Sequence, residues 1–183
     1  MRSAIRAFVA MDEMEYRLCL WIHRAGRYPV VRSVFAVISR LGDGLVWYIM
    51  LLSLPLAAGR AGLVAALSMA TGAMAGLLIY KALKALLVRE RPFIAHADIH
   101  CLTAPLDRYS FPSGHTLHAV FFAVVGSAWF PVWGPALFGF AALVALSRPI
   151  LGLHYPTDVL VGGLSGWSLA LLVLHWVPAG TVW

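Results

Sequence analysis

Long apolar runs separated by short polar breaks organise this chain. No charged residue occurs between Asp43 and Arg60, between Arg60 and Lys81, from Tyr109 to Ser147, or after Asp158. A helix that crosses the hydrocarbon core needs roughly 20 mainly apolar residues. Five segments meet or approach that length, at about 44–59, 62–83, 114–130, 132–148 and 157–178. The first is short, which predicts little tilt or a local thinning of the bilayer.

Residues 1–42 follow another rhythm. Arg2, Arg6, Arg17, Arg24, Arg27, Arg32 and Arg40 interleave with Phe8, Leu18, Leu20, Trp21, Val34, Phe35 and Ile38. Arginines 24, 27 and 32 make a span there costly, at about 2.5–3.5 kcal/mol each near mid-bilayer. The pattern predicts two amphipathic helices in the interface, broken from Gly26 to Pro29. Asp12, Glu13 and Glu15 come too early for the uncharged core of a cleaved signal peptide. Leu41-Gly42-Asp43-Gly44 reads as a turn into the first span. The expectation is an all-α integral membrane helical bundle forming a single domain over residues 1–183. It has an amphipathic interfacial segment at 1–42 and about five transmembrane helices within a core at 44–178.

Composition agrees with that setting. The 183 residues are 61% hydrophobic and only 12% charged, with a mean hydropathy of +0.83. Soluble domains are about a quarter charged. Cys19 and Cys101 match no zinc spacing and are expected as unpaired thiols.

Three polar clusters sit at the ends of the apolar segments. In the first, Lys84 and Arg91 stand seven residues apart. On a continuing helix they share a face, and Pro92 then stops the helix. Arginine grips phosphate oxygens with a fork, and lysine acts as a point charge. The pair also admits a plainer reading, in which basic residues at a helix end reach for headgroups. Lys81 and Arg89 are read that way.

The second cluster is Pro112-Ser113-Gly114-His115. Ser113 stands at an N-cap position, and Gly114 lets backbone N–H groups approach an anion. The helix dipole favours negative charge there. An ordinary capped helix start with an interfacial histidine fits equally well. His118, one turn deeper, reads as a packing histidine.

The third cluster is Ser147-Arg148, His154 and Asp158, with Pro156 placed to open a helix. A carboxylate one turn from an imidazole can accept from one ring nitrogen and leave the other bare and more nucleophilic. An interfacial histidine with a capping aspartate explains that pair alone, but not Arg148. An intramembrane arginine is costly unless it has a partner or a function.

Together the clusters resemble the type 2 phosphatidic acid phosphatase (PAP2) family, whose pattern is K-x6-RP, PSGH and SR-x5-H-x3-D. Every motif position is filled, in order, by Lys84, Arg91-Pro92, Pro112 to His115, Ser147-Arg148, His154 and Asp158. The resemblance implies a metal-independent phosphatase with no cofactor, working through a phosphohistidine. By that analogy His154 attacks phosphorus, Asp158 orients it, and His115 protonates the departing oxygen. Lys84, Arg91, Arg148, Ser113 and the Gly114 N–H hold the phosphate. Glu90, Asp98 and Asp107 have no metal-ligand spacing.

Location at the ends of spans favours a substrate whose tail stays in the bilayer. The expected partners are therefore the membrane and a lipid phosphate, with no nucleic acid. Undecaprenyl diphosphate is favoured, with phosphatidylglycerophosphate, phosphatidate and lipid A as alternatives, and transfer to a second lipid as an alternative reaction. Five spans would put every lysine and arginine except Arg60 on the motif face. The positive-inside rule then points that face at the cytoplasm. The bacterial relatives mostly face the periplasm or exterior, and the resemblance is followed here, in a bacterial inner membrane.

Overall fold

The computed structural model describes residues 2–180, with side chains from Asp12 onward. Arg2, Arg6 and Phe8 of the expected amphipathic face thus have side chains outside the described residues, as do Met1 and residues 181–183 altogether. The described chain is helical: α1 (Arg2–His23), α2 (Pro29–Arg40), α3 (Val46–Leu87), α4 (Pro92–Ala95), α5 (Gly114–Trp129), α6 (Gly134–Ile150) and α7 (Pro156–Trp176). By length and apolarity, three stretches suffice to cross a membrane: Pro29–Ala95, Pro131–Ile150 and Pro156–Trp176.

The first of these stretches is not one straight rod. Within α3, Ala58 and Gly59 leave helical geometry, and Gly59 has φ +54°. A Cβ on Gly62 would lie 1.9 Å from the Leu54 carbonyl oxygen. In an unbroken helix those positions are about 12 Å apart, so the chain folds back here. The two arms, 46–57 and 60–87, take up the first two apolar segments read from the sequence.

Helix α5 is the centre of the bundle, packed against α7, α6 and α3. It is buried on every side through Leu117, Ala119, Phe121, Phe122, Val124 and Val125, which is why its sequence lacks a polar face. Trp47 of the first α3 arm stacks on Phe122 with ring centroids 4.8 Å apart. In lipid, helices gain little from hydrophobicity alone, so close packing of small residues matters. A Cβ on Gly162 or Gly166 of α7 would meet the carbonyl oxygens of Ser113 and Leu117 at 2.5 and 2.2 Å. That Gly-x-x-x-Gly contact fixes the start of α5 against the start of α7.

The N-terminal helices sit on the same end of the bundle. Helix α2 steps down the flank of α6: Gly26, just before it, lies against Ile150, and Gly42, just after it, against Val144. Its outer row, Val30, Val34 and Val37, is exposed. Helix α1 lies across the loops that follow α4 and α6. His23 bonds the Ile150 carbonyl and the His100 N–H, and the buried Cys19 thiol points at the His154 carbonyl. Both cysteines are unpaired.

Candidate active site

Lys84 and Arg91 meet, but not by helical periodicity. Helix α3 ends at Leu87, Val88 turns to φ +26°, and Arg91 caps the short α4. A chain reversal, rather than two further turns of helix, brings the cations together. Lys84 Nζ lies 2.7 Å and Arg91 Nη2 also 2.7 Å from Asp107 Oδ1. Lys84 also donates to the Tyr109 carbonyl, and Arg91 to those of Asp107 and Leu153. Burial opposes the charge on Asp107, yet Lys84 and Arg91 hold its carboxyl below the usual range. The Asp107 carboxylate thus bridges two nearly buried cations at charge-assisted distances.

His154 reaches the same place from the loop before α7. Its Nε2 is 3.4 Å from Arg91 Nη1, and the ring is 1% exposed. Burial, followed by the charges of Arg148, Arg91 and Lys84, holds the imidazole well below its ordinary range. The ring is therefore neutral at pH 7, with Nε2 toward the cations. Its Nδ1 faces Asp158 Oδ2 at 3.5 Å, too far for a good hydrogen bond, and has no hydrogen-bond partner among the described residues. Asp158 instead accepts from the Tyr155 N–H and from Arg89 Nη1, both at 2.8 Å. As the third residue of α7 it closes the helix start.

Arg89 does not reach for headgroups. It joins Asp158, Thr157 and Glu15 of α1, and its guanidinium lies 4.1 Å from the centre of the Tyr155 ring. Glu15 also accepts from the Thr157 N–H at the start of α7.

Ser113 caps α5, accepting from the Thr116 N–H and bonding the Thr116 hydroxyl. Its own N–H donates to the Asp158 carbonyl at 3.0 Å. Gly114 lies under the Tyr80 ring, where a Cβ would sit 3.2 Å from ring carbons. His115 Nε2 pairs with Asp43 Oδ1 from the turn after α2. His118 bonds the carbonyls of Gly114 and Ala73, which ties α5 to α3. Arg148 is buried and donates to Ser39 of α2, while its Nε has no partner among the described residues.

These groups surround one end of a cavity of about 330 Å³. Lys84, Arg91, Asp107, His154, His115, Gly114 and Asp43 line its polar end, and Trp47, Leu51, Met74, Leu77 and Phe122 its apolar side. Arg148, Asp158 and Ser113 stand behind that lining. Among the described residues, no group of three or more His, Cys, Asp or Glu could hold a metal ion. From the sequence, Arg89 reads as reaching for headgroups and Asp107 only as a carboxylate without metal-ligand spacing, and neither Asp43 nor Glu15 is assigned a part in the site. Asp43 had one available signal, a carboxylate in a turn at the motif end of the first span.

A model of the PAP2 superfamily matches residues 62–181, and the chain belongs to that superfamily. Decaprenylphosphoryl-5-phosphoribose phosphatase of Mycolicibacterium smegmatis is 41% identical over 80 residues, 44% of this chain and 42% of that protein. YbjG of Escherichia coli, provisionally named an undecaprenyl-diphosphatase, is 37% identical over 42% of this chain and 39% of its own length. The matched stretch thus spans well under half of either curated relative. Among solved structures, LpxE of Aquifex aeolicus has a TM-score of 0.75 at 29% identity, covering 87% of this chain and 93% of that one. A transmembrane PAP2-type phosphatidylglycerolphosphate phosphatase from Bacillus subtilis has a TM-score of 0.71 at 26% identity, covering 93% and 86%. The chain is an integral membrane protein of this fold.

Proposed function

We propose, with membership of the PAP2 superfamily as the premise, that this protein hydrolyses a lipid phosphate or diphosphate through a phosphohistidine. One observation carries the reading: a neutral imidazole and two cations share the polar end of a cavity whose other side is apolar. Such a cavity suits a phosphate on a lipid tail. The phosphate takes the place of the Asp107 carboxylate between Lys84 and Arg91. His154 Nε2 attacks phosphorus as the bond to the leaving oxygen breaks, and His115 gives that oxygen its proton. Water then attacks the phosphohistidine, returns a proton to His115 and releases phosphate. Arg148 behind the site adds positive charge, Asp158 steadies His154, and Ser113 with the Gly114 N–H borders the anion. Catalysis by positioning and charge compensation is what phosphoryl transfer needs.

Undecaprenyl diphosphate is the favoured substrate. Two of the curated relatives carry a polyprenyl group in their names, which supports that choice. We place the protein in a bacterial inner membrane with the site on the periplasmic or outer face. The test is phosphate release from a panel of purified lipid phosphates in chelator. Wild-type protein should turn over, with undecaprenyl diphosphate cleaved best, and His154→Ala should give no turnover while remaining folded. A strict requirement for added magnesium, or activity surviving in His154→Ala, overturns the reading.

A further inference from the structure

The geometry points to Asp43 as the positioning residue of the general acid, holding His115 oriented toward the leaving group and raising its affinity for the proton it delivers. The inference rests on the proposed role of His115 and goes beyond it, because Asp43 lies outside the residues matched by the superfamily model. Three features fix its carboxylate at the cavity. Gly44, at φ +143°, turns the chain sharply after it, in a conformation that suits glycine. The Trp47 indole N–H donates to the Gly42 carbonyl and closes the turn. Gly42 itself rests on Val144 of α6, where a Cβ would meet a side-chain carbon at 3.0 Å. The result is the pairing of Asp43 Oδ1 with His115 Nε2.

The charges around His115 give that pairing a purpose. Lys84 of α3, Arg91 before α4 and Arg148 of α6 are cations, and His118 of α5 and His154 are imidazoles. Burial, and then the three cations, disfavour a positive charge on the ring. The other carboxylate at the cavity, Asp107, is committed to Lys84 and Arg91. Asp43 is therefore the carboxylate that raises the proton affinity of His115 against burial and three cations. With Nε2–H given to Asp43, Nδ1 is the nitrogen that serves the departing oxygen. The proton passes to that oxygen as its bond to phosphorus breaks, and the neutral ring remains on Asp43.

The test compares two leaving groups. A long-chain alkyl phosphate leaves as a poor alkoxide and needs the acid, whereas p-nitrophenyl phosphate leaves readily without it. General acids contribute about 10²–10⁴-fold. Asp43→Asn should lower kcat on the alkyl ester about a hundredfold, but less than tenfold on the aryl ester. Its alkaline limb of kcat should move to lower pH, and Asp43→Glu should recover most of the loss. Equal losses on both esters, or no loss on the alkyl ester, overturn the role of Asp43 alone. A wild type that cleaves neither ester overturns the phosphatase reading together with it.

Discussion

Asp158 is a carboxylate with 0% exposure, and such a group stays charged only beside a counterion. Arg89 supplies it, and Glu15 holds the far side of the same guanidinium. Burial works against the charge on Arg89, and Asp158 and Glu15 outweigh it, so its pKa rises. Arg89 does not line the cavity. Arg89→Gln should therefore lower kcat by at least tenfold with little change in KM, because Asp158 then takes up a proton or turns from His154. Arg89→Lys should recover only part of the loss, since one ammonium cannot fork between two carboxylates. Steady-state kinetics on a lipid phosphate check both, and a loss confined to KM contradicts the role. Lys84, Arg91, His154 and Asp158 stood out in the sequence because each cluster lies within one short stretch. Arg89 did not, because its partners Glu15 and Asp158 are 74 and 69 residues away.

The same contrast between near and distant partners runs through the elements. Ser113 was legible as a cap because capping is local, and α5 begins at Gly114 as that predicts. The fold-back at Ala58–Gly59 separates the two segments that the apolar pattern had already divided at Arg60. What the pattern missed is how α1 latches onto the loops, which depends on neighbours far along the chain. His23 is the latch. Its Nδ1–H donates to the Ile150 carbonyl at 3.0 Å, and its Nε2 accepts from the His100 N–H at 3.1 Å. Only the neutral ring does both. Burial is the main cause that lowers its pKa, so the folded protein binds the proton less well than the unfolded chain. The latch contributes fully above the ordinary histidine value of about 6.5 and is lost as pH falls through the folded value. One such group adds a slope of at most about 1.4 kcal/mol per pH unit. Thermal unfolding in detergent should weaken from pH 7.5 to 5, and His23→Gln should flatten that slope. An identical slope in the variant would remove His23 as its source.

For the whole molecule, the open matter is which side of the membrane the site faces. Arginine and lysine crowd the motif end, but several are already committed. Lys84 and Arg91 belong to Asp107, Arg89 to Asp158 and Glu15, and Arg17 to Glu13. Of these, Lys84, Arg91 and Arg89 are placed by the site or by the carboxylates that support it, so their position is a weaker guide to orientation. Arg60 stands at the opposite end, about 36 Å from Lys84 along the second arm of α3. The two native thiols make the orientation measurable. Cys101 is exposed in the loop after α4, whereas Cys19 is buried and burial pushes its thiol up to about 12. A thiol so held carries almost no reactive thiolate at neutral pH, so labelling of the wild-type protein reports Cys101. With the site on the outer face, a membrane-impermeant maleimide should label Cys101 in intact cells with a permeabilised outer membrane. In a Cys101→Ser background, Arg60→Cys should label only after lysis. The reverse pattern would put the site in the cytoplasm, where it would meet lipid phosphates on the inner leaflet instead.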